Sequence, residues 1–572
     1  MVELSENAQT VAESRYFWEN ENWEKLTTRV GIAIAANEKD KKWNQIFAEQ
    51  IFDMNFIPGG RILRNSGRVR QSLLNCACLP ISDSIEAIGD TLKNALILWK
   101  YGAGLGIDFS PLREKDKPLI SGGGKSSGML SFIDAIDYIS QTIETGGQRR
   151  SGLLAMCKVS HPQIYDFINA KLQDGKLSRT NLSVAVDHSF LSAVEENKNW
   201  DLEFAGQKVK TIKARDLWNL ILDSMINTGD PGLINYDNLT RNNSYYFANP
   251  TCTNLCGELP LPPYGMCCLG NLVLPSFLSS GGSTNWKKLE STIFIAVRFL
   301  DNVLDVNYFP IRETEQVTKD SRRIGLGVSG LHDYLMAKQA RYGSEKAILE
   351  IERLFKFIRD TAYRASISLS SEKGAFPRYS KTEYCNASFI RKLPAKIRIE
   401  IKDYGIRNCS LISCPPSGTT SLIADVSSGI EPIFSLAYKR IDRVSERYYI
   451  HPRLLEYINS NEKIKPEWLV DVSDLTPEDH LETQATIQRY LDNSISKTIN
   501  CPSTITSSKL SKLLLEYISD LVGVMIYVDG SKKGQVLNKM NMDEIKKYIV
   551  DGKIESSQTE KDVECVRGTC EI

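Results

Sequence analysis

From about residue 70 onward, short apolar runs alternate with long amphipathic segments, and this alternation leaves the chain few architectures. "SLLNCACLPI", "GAGLGIDFS", "TNLSVAV", "RIGLGVSG" and "SCPPSGTTSLIA" have the length of strands buried on both faces. Between such runs lie "SIEAIGDTLKNALILWKYG", "SFIDAIDYISQTIE" and "EKAILEIERLFKFIRDTAYRASISLSSEKG", with apolar residues at helical spacing. Buried strands joined through helices predict an α/β fold with parallel pairing. Residues 1–60 read as helical up to the stop at "PGG". No fixed-period repeat is present. After Val550 apolar periodicity ends, so a mobile polar tail is expected there, although it carries Cys565 and Cys570.

Charge and composition exclude several classes. Lys plus Arg equals Asp plus Glu at 70 each, so no net field marks a binder of long nucleic acids. An anionic ligand would need local donors. The start, "MVELSENAQTVAESRYFWENENWEK", is acidic and has neither a signal-peptide nor a transit-peptide pattern. The most apolar stretch, "STIFIAVRFLDNVLDV", is broken by charge short of the roughly 20 residues a membrane span needs. A soluble cytoplasmic protein is expected, with neither a membrane nor a nucleic-acid polymer as partner. Thirteen cysteines in 572 residues are too sparse for a disulfide framework, so they are expected reduced and open to catalytic, redox or metal roles.

Glycine-rich strings have bland and functional readings. "GLGVSG" at 325–330 matches G-x-G-x-x-G but follows the polar "TKDSRRI", so a tightly packed turn is expected rather than a dinucleotide fold. "SGGGKSS" at 121–127 has Leu119 where a P-loop needs its first glycine, and reads as a flexible loop with Lys125 open to an anion. In "CPPSGTTSLIADVSSGIEP", hydroxyl residues precede an apolar helical run. That pattern suits a phosphate seat or an ordinary helix cap. "TGGQRRSG" at 145–152 reads as a solvated turn before a nucleotide contact.

The cysteines sharpen the reading. Zinc wants close C-x2-C pairs or histidines, and neither Cys76/Cys78 nor Cys565/Cys570 has that spacing, so no metal is expected. Cys157, Cys252, Cys385, Cys409 and Cys501 read as buried packing thiols. "NLCGE" at 254–258 is different, because Asn254 and Glu258 flank Cys256 at i−2 and i+2. In an extended or finger-like loop these three face one side, bringing a thiol, a base and a hydrogen-bond donor onto one small substrate.

An ordered set of segments then carries a resemblance across nearly the whole chain. It runs through "LSENAQTVAESRYF", "FIPGGRILRNSG", "NCACLPISDSIEAI", "YGAGLGIDFSPLR", "TGGQRRSG", "HPQIYDFINAK", "NLSVAV", "NLCGELPLPPYGMC", "RRIGLGVSGLHDYL" and "PPSGTTSLIADVSSGIEP" to the tail thiols. This set resembles the catalytic subunit of the ribonucleotide reductases. The resemblance implies a ten-stranded α/β barrel of two parallel half-barrels with a central finger loop. It divides the chain into a helical region at 1–65 without an ATP-binding regulatory domain, a barrel at 66–545 and a redox tail at 546–572.

The same resemblance implies residue roles. Cys256 would carry a transient thiyl radical that takes the 3′ hydrogen of the ribose of a nucleoside di- or triphosphate. Glu258 would be the base on the 3′ hydroxyl, and Asn254 its hydrogen-bonding partner. Cys76 and Cys267 would be the reducing pair. Cys565 and Cys570 would restore that pair before a thioredoxin- or glutaredoxin-like protein reduces them. Ser417, Gly418, Thr419, Thr420 and Ser421 fall on the phosphate loop. Asp83, Ser84 and Lys125 fall where a deoxynucleotide or ATP specificity effector would bind, and a homodimer is implied.

Radical source is read from the C-terminal half. "EYISDLVGVMIYVDGSKKGQVL" has Tyr527 alone, and the pair Tyr448 and Tyr449 lies well upstream. With "HLETQATIQRYLDNSISKTINCP", this resembles the adenosylcobalamin-dependent class. The alternatives are the large subunit of an oxygen-dependent two-subunit enzyme and an inactive nucleotide-binding regulator. Two residues depart from the cobalamin pattern: Leu255 replaces a common proline, and Cys268 replaces a common asparagine and offers Cys267 a wrong partner.

Overall fold

The computed structural model describes residues 3–554 apart from 120–122, 146–148, 173–174, 242–243, 442–445, 461–463, 532–536, 541–543, 546–548 and 551–552. Of the expected redox tail only 549–550 and 553–554 are described, and Cys565 and Cys570 lie outside the described residues.

The N-terminal region is helical because its sequence supplies caps and an apolar stripe. Ser5 and Asn22 accept from the amides of Ala8 and Lys25, closing the first turns of helices Glu6–Arg15 and Trp23–Ile34. The second helix buries Trp23, Leu26, Val30 and Ile34 along one face. Arg29 then ties this region to the next, donating to Glu21 at 2.6 Å and to the carbonyls of Leu63 and Ser66.

Strands begin at β1 (Cys76–Cys78), followed by β2 (Gly104–Asp108), β3 (Leu153–Lys158), β4 (Thr180–Val186) and β5 (Gly232–Asn235). Each pairs in parallel with the next in chain order. Later in the chain come β6 (Leu269–Val273), β7 (Gly325–Ser329), β8 (Thr498–Cys501) and β9 (Gly523–Val528). β6 and β7 are parallel, as are β8 and β9, and β9 joins β5 antiparallel. The seven-stranded sheet therefore has the order β8-β9-β5-β4-β3-β2-β1.

The smaller sheet, β6 and β7 with the short strand Phe56–Pro58, is linked to both edges of the larger one. At one edge Ala77 bridges Met266 antiparallel, with Cys78 N donating to Gly265 O and Cys267 N to Cys76 O, both at 3.0 Å. At the other, the segment 411–414 pairs in parallel with β7 through Ile412 and Leu326, and with Ile495 ahead of β8 through Cys414.

Strand parity sorts the side chains into two cores. Leu105, Ile107, Leu153 and Ala155 face the outer layer, where helices Trp286–Val306 and Glu345–Lys373 pack. Leu154, Met156, Ala185, Ile234 and Leu269 face an inner cluster shared with Cys76, Cys78, Cys252 and Cys267. The "GLGVSG" expectation is corrected here: 325–329 is the fully buried strand β7, not a turn, and its glycines let Leu269 and Asn271 approach. Glu144–Thr145 and Arg149–Arg150 pair antiparallel, and the residues of "TGGQRRSG" between them lie outside the described ones. Among the described residues no helix is long and apolar enough to cross a membrane.

Outside the inner cluster, charges are buried in pairs. Asp301 accepts from Arg322 at 2.8 Å and from Arg407 at 3.1 Å. Lys497 donates to Glu431 at 2.7 Å and lies 3.0 Å from His480 Nδ1.

Candidate active site

Cys252–Thr253 pairs antiparallel with Pro260–Leu261, so the "NLCGE" segment is the tip of a hairpin. At the tip, Gly257 N donates to Asn254 O at 3.0 Å, and Leu259 N donates to Asn254 Oδ1 at 2.9 Å. Gly257 has φ of +85°, a left-handed conformation that other residues adopt at a cost. Asn254, Cys256 and Glu258 are therefore gathered by the turn of a finger-like loop rather than by an extended one, the two forms the spacing allowed. Asn254 uses its side-chain oxygen to hold the turn and leaves a buried Nδ2 with no partner among the described residues.

Glycines on the inner face of β2 let this finger come close. A Cβ at Gly106 would overlap Thr253 O and stand 3.0 Å from the Thr253 carbonyl carbon. Leu255 occupies the space left by Gly104 and Gly152, where a Cβ would lie 2.8 and 2.7 Å from its Cδ2. From the opposite side, Ser494 N donates to Glu258 O at 2.9 Å. Buried Arg323 donates to Pro260 O and, at 2.7 Å, to Asn493 Oδ1, with its guanidinium 3.8 Å from the Tyr245 ring centroid. Arg323 and Ser494 were not legible as site residues. Their only sequence signals were a paired arginine before an apolar run and an unremarkable serine.

The finger delivers its tip to a thiol pair. Asn254 and Glu258 are buried and Cys256 is half-buried, with open space beside Gly257. The thiols of Cys76 and Cys267 lie within hydrogen-bonding reach of each other. Burial, then Cys76, then the nearby Glu258 and Cys256 push the Cys267 thiol well above its ordinary pKa. Cys76, from a strand far earlier in the chain, thus lies with Cys256, Glu258 and Cys267 at the finger tip, and no disulfide joins Cys76 to Cys267. Cys268 faces the other way. Its Sγ donates to Leu300 O at 3.4 Å in the outer core, so strand parity removes it as a partner for Cys267.

At the loop expected to hold phosphate, Ser417 precedes the short helix Gly418–Ile423. Its Oγ accepts from Gly429 N at 2.7 Å, folding 428–429 under the loop. Thr420 and Ser421 hydroxyls donate back to the carbonyls of Ser417 and Gly418, at 3.2 and 3.1 Å. Gly418 and Thr419 are exposed, with nothing near the position of a Gly418 Cβ, and first-turn amides have no intrahelical acceptor. Tyr16, from the N-terminal helices, hydrogen-bonds the Thr419 hydroxyl, a link across 403 residues that no local pattern announces.

The expected effector residues sit apart from this centre. Asp83 is held by Arg113, Nε to Oδ2 at 2.7 Å, and Ser84 caps helix Ile85–Lys100 by accepting from Ala87 N. Lys125 is exposed and bridges Pro118 in the segment that follows Arg113. Among the described residues no group of histidine, cysteine or acidic side chains could hold a metal ion.

Comparison with known proteins finds matches over most of the chain. Residues 74–527 match the family described as "Ribonucleotide reductase, barrel domain", and residues 2–71 match "Ribonucleotide reductase, all-alpha domain". A protein of Thermoplasma acidophilum named "Vitamin B12-dependent ribonucleoside-diphosphate reductase" is 35% identical over 86% of this chain and 66% of its own length. One of the same name from Mycobacterium tuberculosis is 33% identical over 94% of this chain and 81% of its own. A "Ribonucleoside-diphosphate reductase large subunit" of Danio rerio is 26% identical, over 76% of this chain and 62% of its own.

Proposed function

The chain belongs to the ribonucleotide reductase family, and from that premise we propose that it converts ribonucleotides to 2′-deoxyribonucleotides by thiyl-radical chemistry on Cys256, with adenosylcobalamin as radical source. The observation that carries this reading is the convergence of Cys256, Glu258, Cys76 and Cys267 at the finger tip.

The residues divide the work. The Cys256 thiyl takes the hydrogen from C3′ while Glu258 accepts the 3′ hydroxyl proton, and Asn254 Nδ2 donates a hydrogen bond to the sugar. The 2′ hydroxyl takes a proton from the Cys76/Cys267 pair and leaves as water. The pair then gives two electrons and its second proton to the sugar, making the new C2′–H bond, and becomes a disulfide; Glu258 returns the 3′ hydroxyl proton and Cys256 returns the hydrogen to C3′. Protonated cysteines suit a proton donor, and the raised Cys267 thiol keeps its proton until the sugar needs it. The buried Asn254, Glu258, Cys76 and Cys267 around the tip limit the access of water to the radical. Cys565 and Cys570 then reduce the disulfide by exchange and are themselves reduced by a thioredoxin- or glutaredoxin-like protein.

The cofactor would supply an organic radical next to the finger. Half-buried Cys256 and the open space at Gly257 fit a group approaching from outside, and these are the residues that would face it. The substrate phosphates are assigned to Ser417, Gly418, Thr419, Thr420 and Ser421, whose exposed first turn supports an anion site. Asp83, Ser84 and Lys125 are assigned to a specificity effector, and the enzyme to a homodimer.

The fold is read as a ten-stranded barrel. Supporting it, β1–β5 form one parallel set, and β6, β7, the segment 411–414, β8 and β9 form a second. The two sets meet antiparallel at β5/β9 and at Ala77/Met266. Purified chain with a dithiol, a ribonucleotide and adenosylcobalamin should make deoxynucleotide, and Cys256→Ala should make none. Product from Cys256→Ala would overturn the thiyl mechanism, and activity only with an added metal-containing subunit would overturn the cofactor.

A further inference from the structure

The inner cluster holds more thiols than the proposed reaction uses. β1 points both Cys76 and Cys78 inward, because residues two apart on a strand share a face, while Ala77 faces the outer core. Cys76 meets Cys267. Cys78 meets the base of the finger, where its Sγ lies 3.7 Å from Thr251 Oγ1 and within hydrogen-bonding reach of the Cys252 thiol. Cys78 and Cys252 are fully buried free thiols in the same apolar cluster as the first pair. Both come from segments with other tasks, a barrel strand and the finger stem, and nothing in the ribose chemistry calls on either.

We propose that Cys78 and Cys252 are a second dithiol, which takes over oxidation from the Cys76–Cys267 disulfide by thiol–disulfide exchange inside the barrel. The inference rests on the functional reading above, which supplies the oxidant. Cys78 thiolate attacks Cys76 Sγ and expels Cys267 thiolate; Cys252 thiolate then attacks Cys78 Sγ and expels Cys76. One disulfide is broken and one formed. The protons lost by Cys78 and Cys252 end on Cys76 and Cys267, so no outside oxidant or reductant enters. The result is a reset active pair and a stored oxidising equivalent. Burial, then Cys78, then the charge of Asp108 push the Cys252 thiol well up, so the exchange should quicken as pH rises.

The test is disulfide mapping by differential alkylation and mass spectrometry on the full chain. Fully reduced enzyme is given adenosylcobalamin and ribonucleotide with no external reductant. A Cys78–Cys252 cross-linked peptide is expected after turnover, increasing with pH, and absent in Cys267→Ser, where the donor disulfide cannot form. Cys78→Ala and Cys252→Ala should each lower the reductant-free yield by up to one deoxynucleotide per chain while leaving the rate under excess dithiol unchanged. If Cys76–Cys267 forms but Cys78 and Cys252 stay fully alkylatable, the second dithiol is refuted and the ribonucleotide chemistry stands. If Cys76–Cys267 itself never forms, the functional reading fails and takes this inference with it. A titration of resting protein against dithiol buffers, needing no turnover, gives an independent refutation if Cys78 and Cys252 never cross-link.

Discussion

Gly106→Ala is the most informative single change, because it displaces the finger without touching a reactive atom. The new methyl would overlap Thr253 O, with the Thr253 carbonyl carbon at 3.0 Å and Asn254 Cα at 3.5 Å, all of them backbone atoms that cannot rotate aside. The finger must retreat by about 1 Å, and a shift of that size at a reacting centre costs about 100-fold in rate. Because Cys256 lies three residues beyond Thr253, the tip inherits the displacement. Overpacking should also destabilise the fold by about 1–3 kcal/mol. The assay is deoxynucleotide formation at saturating nucleotide alongside a thermal melt. Gly89→Ala is the control: it lies in helix Ile85–Lys100 with nothing within 4 Å of its Cβ position. That change should leave turnover intact and stabilise by up to about 1 kcal/mol. Wild-type turnover and melting in Gly106→Ala would refute the finger's seating on β2.

Other changes test the supports. Arg323→Met leaves Pro260 O and Asn493 Oδ1 without their buried donor, so it should cost about 1–3 kcal/mol in urea denaturation and lower kcat more than it raises KM. Asp301→Asn leaves Arg407 without its carboxylate and Arg322 with Asp305 alone, and should cost about 3 kcal/mol, seen as an earlier denaturation midpoint. Burial works to raise the Asp301 pKa, but Arg322 and Arg407 outweigh it and hold the carboxyl below its ordinary range. Its contribution is therefore complete above about pH 4 and fades as acid drives the pH down through the lowered value. His480 and His332, pushed by burial to about 2 and about 4, are neutral in the fold and protonate more readily when unfolded. Stability should fall as pH drops below about 6.5, by at most about 1.4 kcal/mol per unit for each histidine. His480→Gln should flatten that slope between pH 6 and pH 4.

What sequence made legible was whatever is local. Alternating apolar runs and amphipathic helices indicated parallel strands joined by helices, and N-L-C-G-E singled out Cys256, while Cys76 and Cys267 were joined to it only through the family resemblance. The misreadings concern glycine and distance. Gly325 and Gly327 looked like a turn because a strand thinned for close packing has the same composition as a bend. The spacing left the finger tip either extended or finger-like, because the Asn254–Gly257 turn is set by backbone bonds that leave no strong residue signature. Cys252 is buried as expected, and its nearness to Cys78 had no sequence signal because it exists only after the finger enters the inner cluster. Tyr16 and Arg323 reach the site from 403 residues before Thr419 and from a strand's approach, respectively, and no spacing rule joins such positions.

The seam between β1 and β6 has a mechanical side. There the two parallel sets meet through a few backbone hydrogen bonds, including Cys267 N to Cys76 O at 3.0 Å, and the facing thiols sit on those same residues. On the proposed mechanism each catalytic cycle welds this joint and then cuts it. The weld closes a loop of roughly 190 residues, which in the chain-entropy account restrains the unfolded state by about 5 kcal/mol. The spent enzyme would thus be the sturdier form and the active one the more easily opened. A cell short of reductant would accumulate protein that is idle but resistant to proteolysis, ready to resume work once reduced.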